Sequence, residues 1–367
     1  MELFLLVLLG VIALGSLIVF GCDFVPWLIT YVRRLGIGSF SDEAAWRSAA
    51  EKKALQWLKK MPPLPVTDEM HYTIVPRLQG KYYNRHFACW QQASLLLGLE
   101  HRPEARALTR AFFDRSDTAN APYTVGNAML LYALLKNGYA EDPAVKQAAQ
   151  KYAAEMLSLA GEGTLPYRPG LDHRFVDTLG MACPFLTLYA LLYGDEKTLA
   201  LAMRQLDEFD EFGIHPLSGM PVHCFDAHSH APLGVYGWGR GCGWYAIALA
   251  ECYDLLKDKN EYAAVLWQRI ERYAAALLKL QNKSGSFSCI LGAHARNDCS
   301  ATAVLSWFLA RAGQPQAAER GRQYVMRFTR RSGEVDFAQG DTMGEGIYSR
   351  RFEPLPFAQG FALRIGK

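Results

Sequence analysis

The sequence has almost no excess of charge of either sign. Its 367 residues carry 39 Lys and Arg against 36 Asp and Glu, a formal net charge of +3. A chain so balanced lacks the basic footprint that nucleic-acid binding needs. It has eight cysteines but no regular spacing between them, which excludes a small disulfide scaffold. The polar composition of a disordered chain is missing as well, since half of the residues are hydrophobic and 12% are aromatic. Strand-like alternation of apolar and polar residues is scarce, so an all-β architecture is excluded.

What is there begins with an 18-residue run, Leu3 to Phe20, whose only polar side chain is Ser16. With Gly21 and Cys22 it reaches the length that spans a bilayer. A cleaved signal peptide needs a positive start and small residues at the cleavage site, and neither is present. A lipoprotein signal would use Gly21-Cys22, but Phe20 is bulky where a small residue is wanted. The run predicts a retained transmembrane anchor over 1–22, in the membrane through residues 3–21, and a juxtamembrane connector over 23–41. No Lys or Arg precedes the run, while Arg33 and Arg34 follow it. The positive-inside rule then leans to the cytoplasmic side of an inner (cell) membrane for the main body, while the apolar stretch Phe24 to Val32 in between leaves the face of the barrel open.

The rest of the chain, 42–367, reads as one helical domain. Apolar residues recur at three and four, giving helices over 42–60, 84–97, 103–114, 123–136, 143–159, 176–192, 195–211, 240–256, 260–281, 298–311, 315–331 and 355–364. Start signals stand at Ser41-Asp42, Asp142-Pro143, Asp298 with Ser300, and Pro315. The helices alternate between two kinds. Charged, one-faced helices such as DEAAWRSAAEKKALQWLKK lie outside. Helices nearly uncharged all round, such as VDTLGMACPFLTLYALLY, are buried on every side. Six of each predict an all-α (α/α)6 barrel, a six-hairpin toroid. The buried helices start at intervals that vary from 39 to 64 residues. A solenoid of fixed short period is thereby set aside.

Polar and aromatic residues cluster at the start of each buried helix: Tyr83-Asn84-Arg85-His86, Ala121-Pro122-Tyr123-Thr124, Arg174-Phe175-Val176-Asp177, Tyr236-Gly237-Trp238-Gly239-Arg240, Asn297-Asp298-Cys299-Ser300 and Ala358-Gln359-Gly360. Six parallel inner helices would bring these starts to one mouth, with free backbone N–H groups and positive dipole ends. Such a mouth suits an anion, and aromatic faces beside polar groups suit sugar rings. The pattern points to an acidic carbohydrate. Helix capping with interface aromatics would leave the same residues at the same places.

FVDTLGMACPFLTLYA (Phe175 to Ala190), SGMPVH (Ser218 to His223), GWGRGCGWYAIAL (Gly237 to Leu249) and NDCSATAVLSWFLARA (Asn297 to Ala312) together resemble the unsaturated glucuronyl and rhamnogalacturonyl hydrolases. The resemblance runs from about residue 45 to the end and is strongest to a branch found with bacterial exopolysaccharide biosynthesis genes. It implies an (α/α)6 barrel, no cofactor, an acidic oligo- or polysaccharide as partner, and contact with other exopolysaccharide assembly proteins. It also implies a reaction: an Asp protonates the C4=C5 double bond of an unsaturated uronic acid, water adds at C5, and the hemiketal opens to release the rest of the sugar. The matching acid is Asp177. Arg240 and Trp244 match a substrate-side Arg and Trp, Tyr236 a further aromatic, and His223 a substrate-side His. Trp238 and His86 join them as substrate-binding candidates at the predicted mouth.

One departure stands out. The family's second Asp, near the start of its fourth helix, corresponds here to Ala121-Pro122-Tyr123-Thr124-Val125-Gly126, which has no carboxylate. Asp117 lies just upstream and is the second catalytic candidate. Asp341 or Glu345, in the Gly-rich loop Gly340 to Gly346, could also supply the missing group. That loop lacks the Gly-Lys-Ser/Thr signature of a phosphate loop. Two readings follow: a membrane-anchored hydrolase of unsaturated uronyl residues, or a glycan-binding or scaffold protein with a degenerate site. The cluster His223-Cys224-Phe225-Asp226-Ala227-His228-Ser229-His230 is rich in ligand-type residues, but its spacing fits no standard zinc pattern. No metal site is expected.

Overall fold

The computed structural model describes residues 1–67, 76, 79–84, 88–259 and 261–366. After the N-terminal helix α1 (Glu2–Arg34), the chain lays down outer and inner helices in turn. The outer ones are α2 (Glu43–Lys59), α4 (Pro103–Arg115), α6 (Pro143–Ala160), α8 (Glu196–Phe212), α10 (Tyr262–Leu280) and α12 (Pro315–Arg327). The inner ones are α3 (Cys89–Gly98), α5 (Val125–Leu134), α7 (Val176–Tyr193), α9 (Gly239–Leu256), α11 (Cys299–Arg311) and α13 (Pro356–Ala362). Each inner helix packs on the next, and α13 returns to α3, so the ring closes. The inner helices are buried nearly all round, while the outer ones bury only one stripe. The double ring expected from the sequence is therefore the observed architecture.

The helix ends follow their residues. Asp42, Asp142 and Asp298 each accept backbone N–H bonds at the start of α2, α6 and α11. Pro stands in the first turn of α4, α6, α12 and α13, where a missing N–H costs nothing. The seam that closes the ring needs glycine. A Cβ on Gly98 would sit 2.5 Å from the Gly360 carbonyl, and one on Gly360 would run into the Ser94 carbonyl. The end of the ring where α5 and α9 finish is filled by a buried ion cluster. Glu251 accepts hydrogen bonds from Tyr132, Lys136 and Arg364 there.

Two features differ from expectation. The helix does not stop at Cys22: α1 continues through Pro26 to Arg34, over most of the expected connector. Its far end is fastened to the barrel. Arg34 makes a paired hydrogen bond to Asp336 at 2.8 and 3.0 Å and donates to the Phe352 carbonyl at 2.8 Å. Short strands also appear in the loops that lead into inner helices. A three-stranded antiparallel sheet joins β3 (His173–Phe175), β4 (Val222–Asp226) and β5 (Pro232–Tyr236). Two-residue ladders pair β1 (Leu64–Pro65) with β2 (Tyr83–Asn84), and β6 (Ala338–Gln339) with β7 (Phe352–Glu353). β4 is buried along four successive residues, so it shows no alternation to read.

Candidate active site

The first turns of α3, α5, α7 and α9 converge on a cavity of about 550 Å³, within the range of small-ligand sites. Trp90, Tyr123, Asn127, Asp177, Arg240 and Trp244 line it from these helices, and the 341–345 loop completes the wall. The starts of α11 and α13 do not reach it. Asp298 is spent on Ser300 and the Gln339 N–H, and Gln359 on the Val335 N–H and the Ala50 and Gly333 carbonyls. The expected convergence of six helix starts is thus a convergence of four. The chain before α13 covers the remaining two.

Asp177 is the second residue of α7, with its side chain almost out of solvent. Its Oδ2 has no hydrogen-bond partner, and the nearest ring nitrogen, His223 Nε2, stands 3.7 Å away. Burial pushes its carboxyl up to about 7. Arg240 opposes that rise and the charge of Asp341 adds to it. Burial therefore outweighs the helix N-terminus, which favours the ionised form. The result is a carboxyl that still holds a proton near neutral pH, as a general acid must. His223 on β4 is packed between Phe175, Trp238 and Tyr348. Burial, then Arg240, pulls it down to about 4, so its ring is neutral beside Asp177. Tyr123 Oη and Trp244 Nε1 are also buried without partners. Orphaned polar atoms gathered around one cavity are what a ligand with several hydroxyls would satisfy.

The other predicted residues fall differently. Arg240 lines the cavity but is 1% exposed, and its guanidinium donates to the Gln339 carbonyl at 2.6 Å and the Gly340 carbonyl at 2.8 Å. Its ends already hold the neighbouring loop, so the residue matching a substrate-side Arg presents no free guanidinium end to the cavity. Trp244 lines the cavity too, but its ring packs on Trp90, Phe357 and Gly180. The residue matching a substrate-side Trp is therefore only 1% exposed, held among these neighbours. Trp238 is buried behind the wall, donating to Gln339 Oε1 at 3.1 Å. Tyr236 rests against His215 and is not among the lining residues. Asp117 is exposed, with a left-handed φ of 50°, and accepts from Asn120 at 2.6 Å. It does not reach the cavity, because its short side chain closes its own turn. His86 lies outside the described residues. The His223-to-His230 cluster is dispersed: Asp226 caps the turn at His228 and Ser229, and His230 stacks on Phe212 at 3.6 Å.

Asn127, Tyr167 and Trp90 line the cavity without having been singled out. Their only sequence signal is position, since Trp90 and Asn127 lie in the first turn of inner helices. Tyr167 lies in the loop before β3 and carried none.

The chain is thus a helical toroid with a buried, proton-holding carboxyl in a cavity at the inner-helix starts. The family model described as Glycosyl Hydrolase Family 88 matches residues 167–325. The unsaturated rhamnogalacturonyl hydrolase YesR of Bacillus subtilis is 23% identical over 147 residues, 38% of this chain and 43% of that protein. The match thus spans less than half the length of that relative. Among solved structures, a possible GH105 member from Salmonella enterica superposes with a TM-score of 0.73 at 19% identity, covering 87% of this chain and 92% of its own. The unsaturated glucuronyl hydrolase of Bacillus sp. GL1 gives 0.61 at 15% identity, covering 86% and 93%. The similarity is to the unsaturated glucuronyl and rhamnogalacturonyl hydrolases, and the fold is their toroid.

Proposed function

We propose that the protein is a glycoside hydrolase that hydrates unsaturated uronyl residues of an acidic glycan. The observation that carries this reading is Asp177: buried, unpartnered at Oδ2, and holding its proton up to about pH 7. Its proton goes to C4 of the double bond and the oxygen of a water bonds to C5. The resulting hemiketal opens and releases the rest of the glycan. Tyr123 Oη, Trp244 Nε1 and neutral His223 supply hydrogen bonds to the sugar around the reacting carbons. A disaccharide made by a polysaccharide lyase carries the double bond as an ultraviolet chromophore. Incubation with the full chain should bleach it, and Asp177→Asn should not.

A second reading has its own support. The start of α5 has no carboxylate and Arg240 is committed to the protein, as in a glycan-binding or scaffold protein that has lost turnover. Oligosaccharide binding without bleaching on any unsaturated substrate would favour it.

We further propose that residues 1–22 anchor the barrel, 42–367, to the inner membrane. Every residue of Leu3 to Phe20 is exposed, and an apolar surface that large needs a lipid partner. Retention in the membrane pellet after alkaline washing tests the anchor. Reporter fusions after residue 40 test the cytoplasmic placement of the barrel. The link to exopolysaccharide assembly rests on the sequence resemblance alone. Neighbouring glycosyltransferase genes would favour it, and a neighbouring lyase gene would favour degradation.

A further inference from the structure

We propose that Asp341, carried by the loop between β6 and β7, is the second carboxyl group of this site and takes the proton of the attacking water. The proposal rests on the hydration reading above and adds a residue to it. Addition of water across C4=C5 moves two protons: one arrives at C4 and one leaves the water that bonds to C5. Asp177 supplies the first. The start of α5 offers Tyr123, Thr124, Val125, Gly126 and Asn127 to the cavity, and no carboxyl group among them. The 341–345 loop, which completes the cavity wall, offers Asp341.

The position of Asp341 is over-determined. Its own N–H donates to the Pro65 carbonyl at 2.7 Å, and the N–H of Gly340 donates to the Arg351 carbonyl at 2.9 Å. A Cβ on Gly340 would run into the Pro65 carbonyl, so only glycine lets the loop lie this close to β1. Arg240 grips the two carbonyls before Asp341 and stands 3.5 Å from its Oδ1. The Thr342 N–H donates to the same oxygen at 3.0 Å. A rim residue facing water needs none of this fastening. It is what holds a carboxyl at one place in a cavity.

The charges around it divide the labour. Arg240 from α9 acts on both carboxyls and lies in contact with Asp341. Asp177 faces the cavity from α7, His223 from β4 and Tyr167 from the preceding loop, while Glu345 on the same loop is turned to His173 at 2.7 Å. His223 is neutral and adds no charge. Two carboxyls that share one guanidinium lose their protons in two steps that belong to the pair. Burial raises the carboxyl of Asp341 and Arg240, in contact with it, opposes that rise; in the proposed scheme the first loss falls to Asp341 and Asp177 keeps its proton. In the reaction, Asp177 gives its proton to C4, the water oxygen bonds to C5, and the water's proton passes to the Asp341 carboxylate. Exchange with solvent then returns the pair to its starting state.

The test uses the full-length chain and an unsaturated disaccharide. Asp341→Asn should lower kcat by about 100-fold or more with little change in KM. It should also move the basic limb of the kcat–pH profile to lower pH, because losing a nearby negative charge lets Asp177 ionise earlier. Formate should restore part of the activity of Asp341→Ala. Carboxyl NMR of Asp177 in folded Asp341→Asn, with thermal unfolding as the folding check, should show the same downward shift without turnover. A kcat within about threefold of the parent, or an unmoved limb and Asp177 titration, overturns the proposal while the hydration reading stands. An inert parent protein overturns both.

Discussion

α1 and α7 satisfy the same test of length and apolar character for crossing a membrane, and only one of them is free to do so. α1 is exposed along its apolar run from Leu3 to Phe20, and Arg34 at its far end meets the barrel. α7 is buried from Val176 to Ala190, between α5, α9 and the outer α8. The sequence difference is small but physical. α7 carries Gly180, Pro184, two threonines and Asp177, groups that suit close helix packing and a polar mouth. α1 has glycines too, but a Cβ on Gly10 or Gly15 would meet nothing. Apolar character alone says that a helix leaves water. It does not say whether lipid or protein receives it.

The largest contrast comes from placing one charge in each helix. Leu186→Arg in α7 buries an unpaired guanidinium and should cost more than about 4–5 kcal/mol, so the barrel should not fold, as read by circular dichroism. Leu8→Arg in α1 should leave barrel unfolding within about 0.5 kcal/mol and weaken membrane retention instead. A folded Leu186→Arg protein would break the comparison.

Chemistry should also separate the two helices. Asp177→Asn should lower kcat by roughly 10²–10⁴-fold, whereas no substitution within Leu3 to Phe20 should change turnover in detergent. Activity of the parent should fall as pH rises through about 7, where Asp177 loses its proton. The stability sign follows from the same shift. The folded state binds Asp177's proton up to about pH 7 and the unfolded state only up to about 3.8, so its contribution to stability is lost as pH rises across that window. Asp177→Asn should therefore be the more stable protein at pH 8, by roughly 2–4 kcal/mol. It should have no such advantage near pH 4. Thermal unfolding at the two pH values reads this directly.

Smaller effects sharpen the contrast. In Gly180→Ala the new Cβ would lie 2.6 Å from the Trp244 carbonyl and 2.8 Å from its ring. Parting α7 from α9 should cost about 1–3 kcal/mol and reduce kcat, since Asp177 is one turn away. Gly15→Ala should be silent in both measurements. At the foot of α1, Arg34→Ala removes a partner of buried Asp336, but Arg330 still holds that carboxylate at 2.7 Å. The loss should be about 1–2 kcal/mol in barrel stability, with membrane retention unchanged.

The alternation of charged and uncharged helices was legible because outer helices bury one stripe and inner ones the whole circumference. The caps at Asp42, Asp142 and Asp298 were legible because a short polar side chain there meets unpaired N–H groups. Asp177 was legible through its motif and His223 through its turn. Asp117 was misplaced because closeness in sequence to the start of α5 says nothing about direction, and a left-handed turn points the chain elsewhere. Tyr236 and Trp238 share a segment with Arg240, yet β5 and the first residue before α9 send them to different surroundings.

By itself the sequence determined the ring of alternating helices, the apolar N-terminal run and an acid at the head of one buried helix. Those rest on local periodicity and local capping, which neighbouring residues decide. Only the tertiary structure decided that four helix starts rather than six open into the cavity. It alone turned Arg240 to the loop before Asp341 and brought Asp341 to face Asp177 from 164 residues away. Burial is a property of everything packed around a group. The raised pKa of Asp177 therefore came from the closed ring and not from its motif.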